Sequence, residues 1–455
     1  MRFSAVETME AVLPRAWTER LRPMGERADA MLASDNADAR TQRASVTAYG
    51  IRVASAGIAF FSQIAFARIM GIEQYGIFVL VWVAMIILGA LSCLGFQTVI
   101  IRFLPQYREK SDFSHMRGIL FASRLVVLGA STVIAMLVAA IAWFGRDLFA
   151  DYYVVPFVMG ALAIPMIALC DTLDGTARAQ GWTIRALTPS YLVRPMLILA
   201  FMMAVHFSGG TIDALTGIQC AVAATYVTTV VQLVMITRQV DQTIPTGDAS
   251  YALPMWTKVA LPIFLVEGFF FLLYNADTLM VGALMQPADV AVYFATVKTL
   301  ALVHFVFFAV KAAIAHRFSA LLADGDQSAV AELASRSVMW TFVPSIIMGV
   351  IILVLGPFLL AMFGAAFTQG YPLLFILVAG VVIRAAIGPA ESLLNMAGHQ
   401  NACAMVFGGV LATNVTLNAL LIPVFGLTGA ATATFLATIV EAFALYQLVY
   451  RRIGV

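Results

Sequence analysis

GIFVLVWVAMIILGALSCLGFQTV, residues 76–99, runs for 24 positions without a single charge. About 20 mostly apolar residues are enough to cross the hydrocarbon core of a bilayer as a helix. A soluble domain has no use for such a stretch, and this one is bounded by Glu73 before it and by Arg102, Arg108 and Lys110 after it. Working outward, the same pattern recurs near 46–66, 118–143, 153–171, 186–207, 215–236, 258–281, 290–313, 338–360, 372–391, 403–423 and 428–449. The expectation is an all-α integral membrane protein of about twelve transmembrane helices.

The composition agrees. Of 455 residues, 62% are hydrophobic and 11% are charged, against about 25% charged in soluble domains, and mean hydropathy is +0.92. The net charge of +2 is not gathered into basic blocks, so no nucleic-acid partner is expected. Cys93, Cys170, Cys220 and Cys403 lie in apolar runs without metal-like spacing and read as buried small hydrophobes. No cofactor is implied. Residues 1–45 stand apart, with seven arginines, seven acids and two prolines. They lack the apolar run of a cleavable signal peptide and read as a disordered polar cytoplasmic tail.

Lys and Arg in the flanks orient the spans. Twenty fall on the side of the N-terminal tail and of Arg451 and Arg452, whereas the other side has Arg68 and Arg146 alone. An even number of spans with both termini in the cytoplasm satisfies that bias, in the inner (plasma) membrane. The external loops are short, which disfavours a glycan polymerase or ligase acting outside. Residues 237–257, with Pro245, Gly247 and Pro254, read as a cytoplasmic linker between an N-lobe, 46–236, and a C-lobe, 258–450.

A weak internal repeat supports that division. Asp171-Thr172-Leu173 with Gln180 returns as Glu391-Ser392-Leu393 with Gln400, at an offset of 220. Arg68-Ile-Met-Gly71 followed by Glu73 resembles Leu279-Met-Val-Gly282 followed by Asp289. Repeats an even number of spans apart keep the same orientation, so the lobes are expected to be related by a pseudo-two-fold axis along the membrane normal. The turns at 67–75 and 282–290 would then form part of one gate.

At these residues a family resemblance enters. Arg68-Ile-Met-Gly71…Tyr75-Gly76, Leu94-Gly95-Phe96…Arg102-Phe-Leu-Pro-Gln-Tyr107 and Pro423-Val-Phe-Gly426-Leu-Thr-Gly429-Ala-Ala-Thr-Ala433 are similar to polysaccharide and O-antigen flippases of the Wzx type. These belong to the superfamily of multidrug, oligosaccharidyl-lipid and polysaccharide exporters. The resemblance implies two six-helix lobes around a cavity. It also implies alternating access, and transfer of an undecaprenyl-diphosphate-linked oligosaccharide from inner to outer leaflet for polysaccharide biosynthesis. The implied partners are that lipid-linked glycan, the membrane lipids, and the polymerase and glycosyltransferases of the same pathway. A Na⁺- or H⁺-coupled multidrug or metabolite exporter of the superfamily stays open as an alternative, as does a membrane enzyme of glycan assembly. No phosphate-binding loop, nucleophile elbow or His-Glu-x-x-His motif appears, so no enzyme is expected.

Ionisable residues inside spans cost roughly 2.5–3.5 kcal/mol each at mid-bilayer and are functional candidates for that reason. The basic ones are Arg52, Arg124, Arg194, Lys298 and Arg384. They are the expected cavity cations, because a lipid diphosphate cannot enter a low-dielectric space unpaired and guanidinium binds phosphate oxygens in pairs. Arg52 shares a face with Ser55, Ala59, Ser62 and Gln63, a polar stripe fit for a cavity wall. Snorkelling is the competing account for Arg52 and Arg124; structural ion pairing is the competing account for the other three. The acids Glu267, Asp277 and Glu441 all fall in the second half. Glu267 shares its face with Tyr274, Asn275 and Thr278, which fits a coupling proton or cation, or a pairing with Arg384 or Lys298. The expectation is a cationic first lobe and a mixed second one.

Overall fold

The computed structural model describes residues 37–148, 150–324 and 327–454. Helix accounts for nearly all of them, and no strand occurs among them. The first half comprises α1 (Ala37–Met70), α2 (Ile72–Ser92), α3 (Phe96–Glu109), α4 (Phe113–Phe144), α5 (Asp151–Ala161), α6 (Ile164–Ala179), α7 (Thr183–Thr188), α8 (Arg194–Phe207) and α9 (Ala214–Thr243). The second half comprises α10 (Leu253–Leu284), α11 (Pro287–Asp324), α12 (Gln327–Phe363), α13 (Tyr371–Ala385), α14 (Ala390–Met396) and α15 (Gln400–Ile453).

Several of these are pieces of one rod. The run quoted above breaks at Leu94 and Gly95, both at positive φ (49° and 77°), and resumes as α3. Gly95 is required there twice over, since a Cβ would also lie 2.5 Å from the Ala260 carbonyl oxygen of α10. The helices α5 and α6 bend by 43° at their junction. Helix α15 is divided by Gly426, whose φ of 60° and ψ of −137° are not helical, three residues after Pro423. Among the described residues nine helices are long and apolar enough to span a membrane, or ten with the bent pair. Twelve were expected; the 54-residue α15, broken at Gly426, and the 38-residue α11 are the longest helices of the second half. Phe144, Val354 and Val424, each more than two-thirds exposed, turn apolar side chains outward, as a lipid-facing surface requires.

Two boundaries differ from expectation. Helix α1 begins at Ala37, inside the segment read as tail, whose residues 1–36 lie outside the described residues. The linker is mostly helix, because α9 runs on to Thr243 and α10 starts at Leu253. The nine residues between are docked onto the first half. Arg117 donates to the Pro245 and Asp248 carbonyls, and the Ser250 N–H donates to Ser114 O at 3.0 Å. Trp256 donates to the Tyr107 hydroxyl at 2.9 Å. Beside this dock Asp112 caps α4 by accepting from the His115 N–H at 3.1 Å. That bond, with those from the Ser114 and His115 side chains, holds the Asp112 carboxyl below the usual carboxylate range.

The halves meet unevenly. We call the end of the bundle where α1 begins and α15 ends the basic end. At the opposite end one apolar core crosses between halves, joining Tyr75 and Phe78 to Tyr293, Phe294, Phe363 and Phe367. Gly76 lies so close to Pro287 that a Cβ would overlap its carbonyl oxygen at 1.8 Å. Arg68, at the last turn of α1, donates to the Ala361 and Met362 carbonyls, both at 2.7 Å. It thereby caps the C-terminal end of α12, where unsatisfied carbonyls favour a cation. Gly76, just after the turn 67–75, thus touches Pro287 of the turn 282–290. Toward the basic end the cores separate. One gathers α3 and α4 with Trp256 and Ala260; the other gathers Ile314, Phe318, Leu393 and Phe407. Cavities open where the shared core stops.

Candidate functional site: two charged cavities

The larger cavity, about 510 Å³, is walled by the first half and closed by α10. Helix α6 contributes Asp171, Asp174 and Arg178, which share one face at i, i+3 and i+7. Arg178 forms an ion pair with Asp174. From the other side α10 brings Glu267, whose two oxygens accept from Thr98 Oγ1 at 2.6 Å and Gln97 Nε2 at 3.0 Å at the start of α3. Arg194 enters at the head of α8, directly after a π-helical turn, Pro189–Val193. Such wide turns recur at functional sites because they re-aim a side chain. Its Nη2 donates to Cys170 Sγ at 3.0 Å, and the thiol donates to Gln232 Oε1 at 2.9 Å. Arg194 is only 9% exposed, yet its Nε has no acceptor among the described residues.

The smaller cavity, about 180 Å³, lies in the second half between α10, α11, α13 and α15. Arg384 Nε donates to Glu441 Oε1 at 2.6 Å, both side chains being 15% exposed, and Nη1 reaches Gly388 O at 3.3 Å. Asp277 Oδ1 accepts from the amides of Asn414 and Asn418, each at 2.9 Å. The hydroxyls of Tyr293 and Thr434, 3.1 Å apart, stand beside the same carboxylate. All these donors are neutral, so among the described residues the Asp277 carboxyl is hydrogen-bonded without touching a cation. Asn418 Oδ1 is a buried acceptor with no donor among the described residues. A carboxylate, an orphaned amide oxygen and two hydroxyls are hard oxygen ligands suited to a small cation. Among the described residues no cluster of three or more His, Cys, Asp or Glu suits a metal ion.

The expected site residues therefore separate. Arg194 and Glu267 share the larger cavity; Arg384, Asp277, Glu441 and Tyr274 line the smaller one. Arg124 lines neither, and its Nη1 donates to Thr237 on α9 at 3.1 Å. Lys298 is exposed and lies over the Phe294 ring, 4.7 Å from its centre. Gln63 accepts from the Tyr75 hydroxyl at 2.8 Å and so braces the sealed end. Asn275 donates to the Phe271 carbonyl one turn back. The side chain of Arg52 lies outside the described residues.

Two expectations are corrected. Glu267 is bonded to Gln97 and Thr98 rather than to Arg384 or Lys298; the partner of Arg384 is Glu441. The first half is not simply cationic, since its cavity carries three carboxylates against two arginines. The cause is helix length. The fourth span was ended at 171, whereas α6 continues to Ala179 and carries Asp174 and Arg178 inward. Asn414, Asn418 and Thr434 were also passed over, although two amides at i and i+4 in an apolar helix are a legible signal.

Fold and site together define a multi-pass membrane protein with the fold of MOP-superfamily transporters. An inward-facing multidrug resistance MATE family transporter of that superfamily superposes with a TM-score of 0.69 at 16% identity, covering 90% of this chain and 94% of its own. The lipid II flippase MurJ, in an inward closed conformation, gives 0.70 at 13%, covering 89% and 87%. A MOP superfamily transporter from Pyrococcus furiosus, described as having a binding pocket of reverse polarity, gives 0.63 at 15%, covering 91% and 96%. No curated protein matches the sequence. The MatE family model matches residues 262–420, and that of the polysaccharide biosynthesis proteins matches residues 45–321, more than half of the chain. The chain belongs to the polysaccharide biosynthesis protein family.

Proposed function

We propose that this protein flips a lipid-linked oligosaccharide, carried on an undecaprenyl-type diphosphate, from one leaflet to the other by alternating access. The observation that carries the reading is Arg194, a buried guanidinium with an unused N–H in a cavity between halves that are sealed at one end only. A diphosphate moving through low dielectric needs such a partner, and the exposed ammonium of Lys298 is a second candidate contact. Family membership supports a glycan cargo, and the likeness to a lipid II flippase supports a lipid carrier. On this reading the termini and the basic end face the cytoplasm in the inner membrane. The glycosyltransferases and polymerase of the same pathway then act before and after the step.

Asp277 with Asn414, Asn418 and Thr434 is the best-formed place for a coupling cation. Glu441 serves as the partner of Arg384. Transport by purified protein in liposomes tests the proposal. A synthetic polyprenyl-diphosphate sugar should become accessible to a membrane-impermeant pyrophosphatase added outside. No transfer above protein-free liposomes would overturn it. A second reading, export of an organic cation, draws on the carboxylates of the larger cavity. It predicts saturable uptake of tetraphenylphosphonium with no transfer of the glycolipid.

A further inference from the structure

The larger cavity holds more than a phosphate-binding arginine, and its remaining charges go beyond what a diphosphate uses. Arg178 and Asp174 neutralise each other. Asp171 and Glu267 are left: Asp171 stands in the field of Arg194 and Arg178 without a direct ion pair among the described residues. Glu267 is held only by the neutral donors of Gln97 and Thr98. Arg194 is left on the other side of the account, 9% exposed and with its Nε unpartnered. The cavity thus presents two carboxylates and one guanidinium in the same space, none of them in a direct ion pair among the described residues, with Glu267 the one furthest from compensation. Arg194 is buried and the two acids are half-buried, and charges withdrawn from water in this way are costly unless something pairs them.

We propose that the cargo is zwitterionic: a glycan bearing a free ammonium, as on an unacetylated amino sugar, attached to its lipid diphosphate. This deepens the flippase reading and rests on it. The ammonium would lie against Glu267 and Asp171, and the phosphate oxygens against Arg194. A bare metal ion is a poorer occupant, because the two carboxylates come from different helices, α10 and α6, and among the described residues no three-ligand cluster converges. About 510 Å³ falls within the ~300–1,000 Å³ typical of sites for small organic molecules. Tyr191 and Phe271, also on the wall, offer apolar surface to a sugar ring. A cargo with only negative charge would meet two repelling carboxylates on entry, and an acetylated amine would leave both unpaired.

The test uses the full chain in liposomes with two synthetic lipids, polyprenyl-diphosphate glucosamine and polyprenyl-diphosphate N-acetylglucosamine. Diphosphate made accessible to impermeant pyrophosphatase is read for each. Wild-type protein should move the amine about tenfold faster, the discrimination one charge-assisted hydrogen bond supplies. Glu267→Gln and Asp171→Asn, each keeping the shape of the side chain, should bring the ratio of the two rates toward one. Equal wild-type rates would overturn the zwitterion and leave the flippase intact. A preference that survives both substitutions would overturn the assignment to this cavity. If neither lipid moves while tetraphenylphosphonium does, the flippase reading fails, and this inference with it.

Discussion

The two cavities are built from the same kinds of residue and differ in what those residues do to one another. In the second half Arg384 and Glu441 meet at 2.6 Å and close the account of charge between them. In the first half Arg194 spends one N–H on a neutral thiol and leaves another unused, and it acts on Asp171 through the field without a direct ion pair. A paired buried charge holds a structure together; an unpaired one is held ready for something that arrives. An arginine within a membrane span is therefore not a sufficient sign of a binding site. Its partner decides.

The largest effect should come from breaking the closed pair. Arg384→Ala leaves Glu441 buried without its cation, a change that typically costs about 3–5 kcal/mol. Thermal unfolding in detergent should show a strongly lowered midpoint and reduced folded yield. The double variant Arg384→Met with Glu441→Leu should recover most of that loss, because an apolar pair of similar volume is often as stable as a buried ion pair. If Arg384→Ala unfolds like the wild type but transports nothing, the comparison is wrong and both cavities bind cargo.

Arg194→Ala should act the other way, on transport more than on stability. Losing a charge-assisted hydrogen bond to phosphate costs about 1.5–3 kcal/mol, roughly a 10- to 100-fold drop in transfer rate. The unfolding midpoint should move little, since no carboxylate is orphaned at contact distance. Arg194→Lys should recover only part of the rate, because a point charge cannot make the paired contacts of a guanidinium. A rate within twofold of wild type for Arg194→Ala would remove the central residue of the proposal.

A third difference concerns ions. Asp277→Asn keeps the hydrogen-bonding shape of the second cavity and removes its carboxyl. Transfer driven by an imposed Na⁺ or H⁺ gradient should fall about tenfold, on the order of one charge-assisted contact. Exchange without a gradient should change less. Equal loss of both would assign Asp277 to the cargo path instead of to coupling.

How much of this was legible in the sequence follows from range. Apolar runs and flanking charges are local, so the helical class and the span positions could be read directly, including the Pro423–Gly426 hairpin; the break at Gly95, inside an unbroken apolar run, could not. Arg194, Arg384, Glu267, Asp277 and Glu441 announced themselves by costing energy where they stand. Their partners did not. Arg384 finds Glu441 57 positions away and Glu267 finds Thr98 169 positions away, separations that no periodicity encodes. The π-helical turn before Arg194 left no mark either, because a wide turn depends on packing. Asp174 and Arg178 were lost to a boundary placed eight residues early, the point at which hydropathy ends although the helix does not.

The smallest effect separates an arginine that is positioned from one that is merely confined. Cys170 accepts from Arg194 and donates its S–H to Gln232, so it fixes where the guanidinium points. It does not touch the unused Nε. Cys170→Ser keeps an acceptor and a donor in nearly the same place and should transport like the wild type. Cys170→Ala removes both, and losing the one that holds Arg194, at about 1 kcal/mol, should make transfer roughly fivefold slower. Arg384 offers the internal contrast, since Glu441 holds it directly and no thiol intervenes. If Cys170→Ala is silent, the π-helical turn alone aims Arg194, and the thiol is packing. If Cys170→Ala slows transfer and Cys170→Ser does not, the open cavity is open by construction, with a neutral partner placed where the other cavity has a carboxylate.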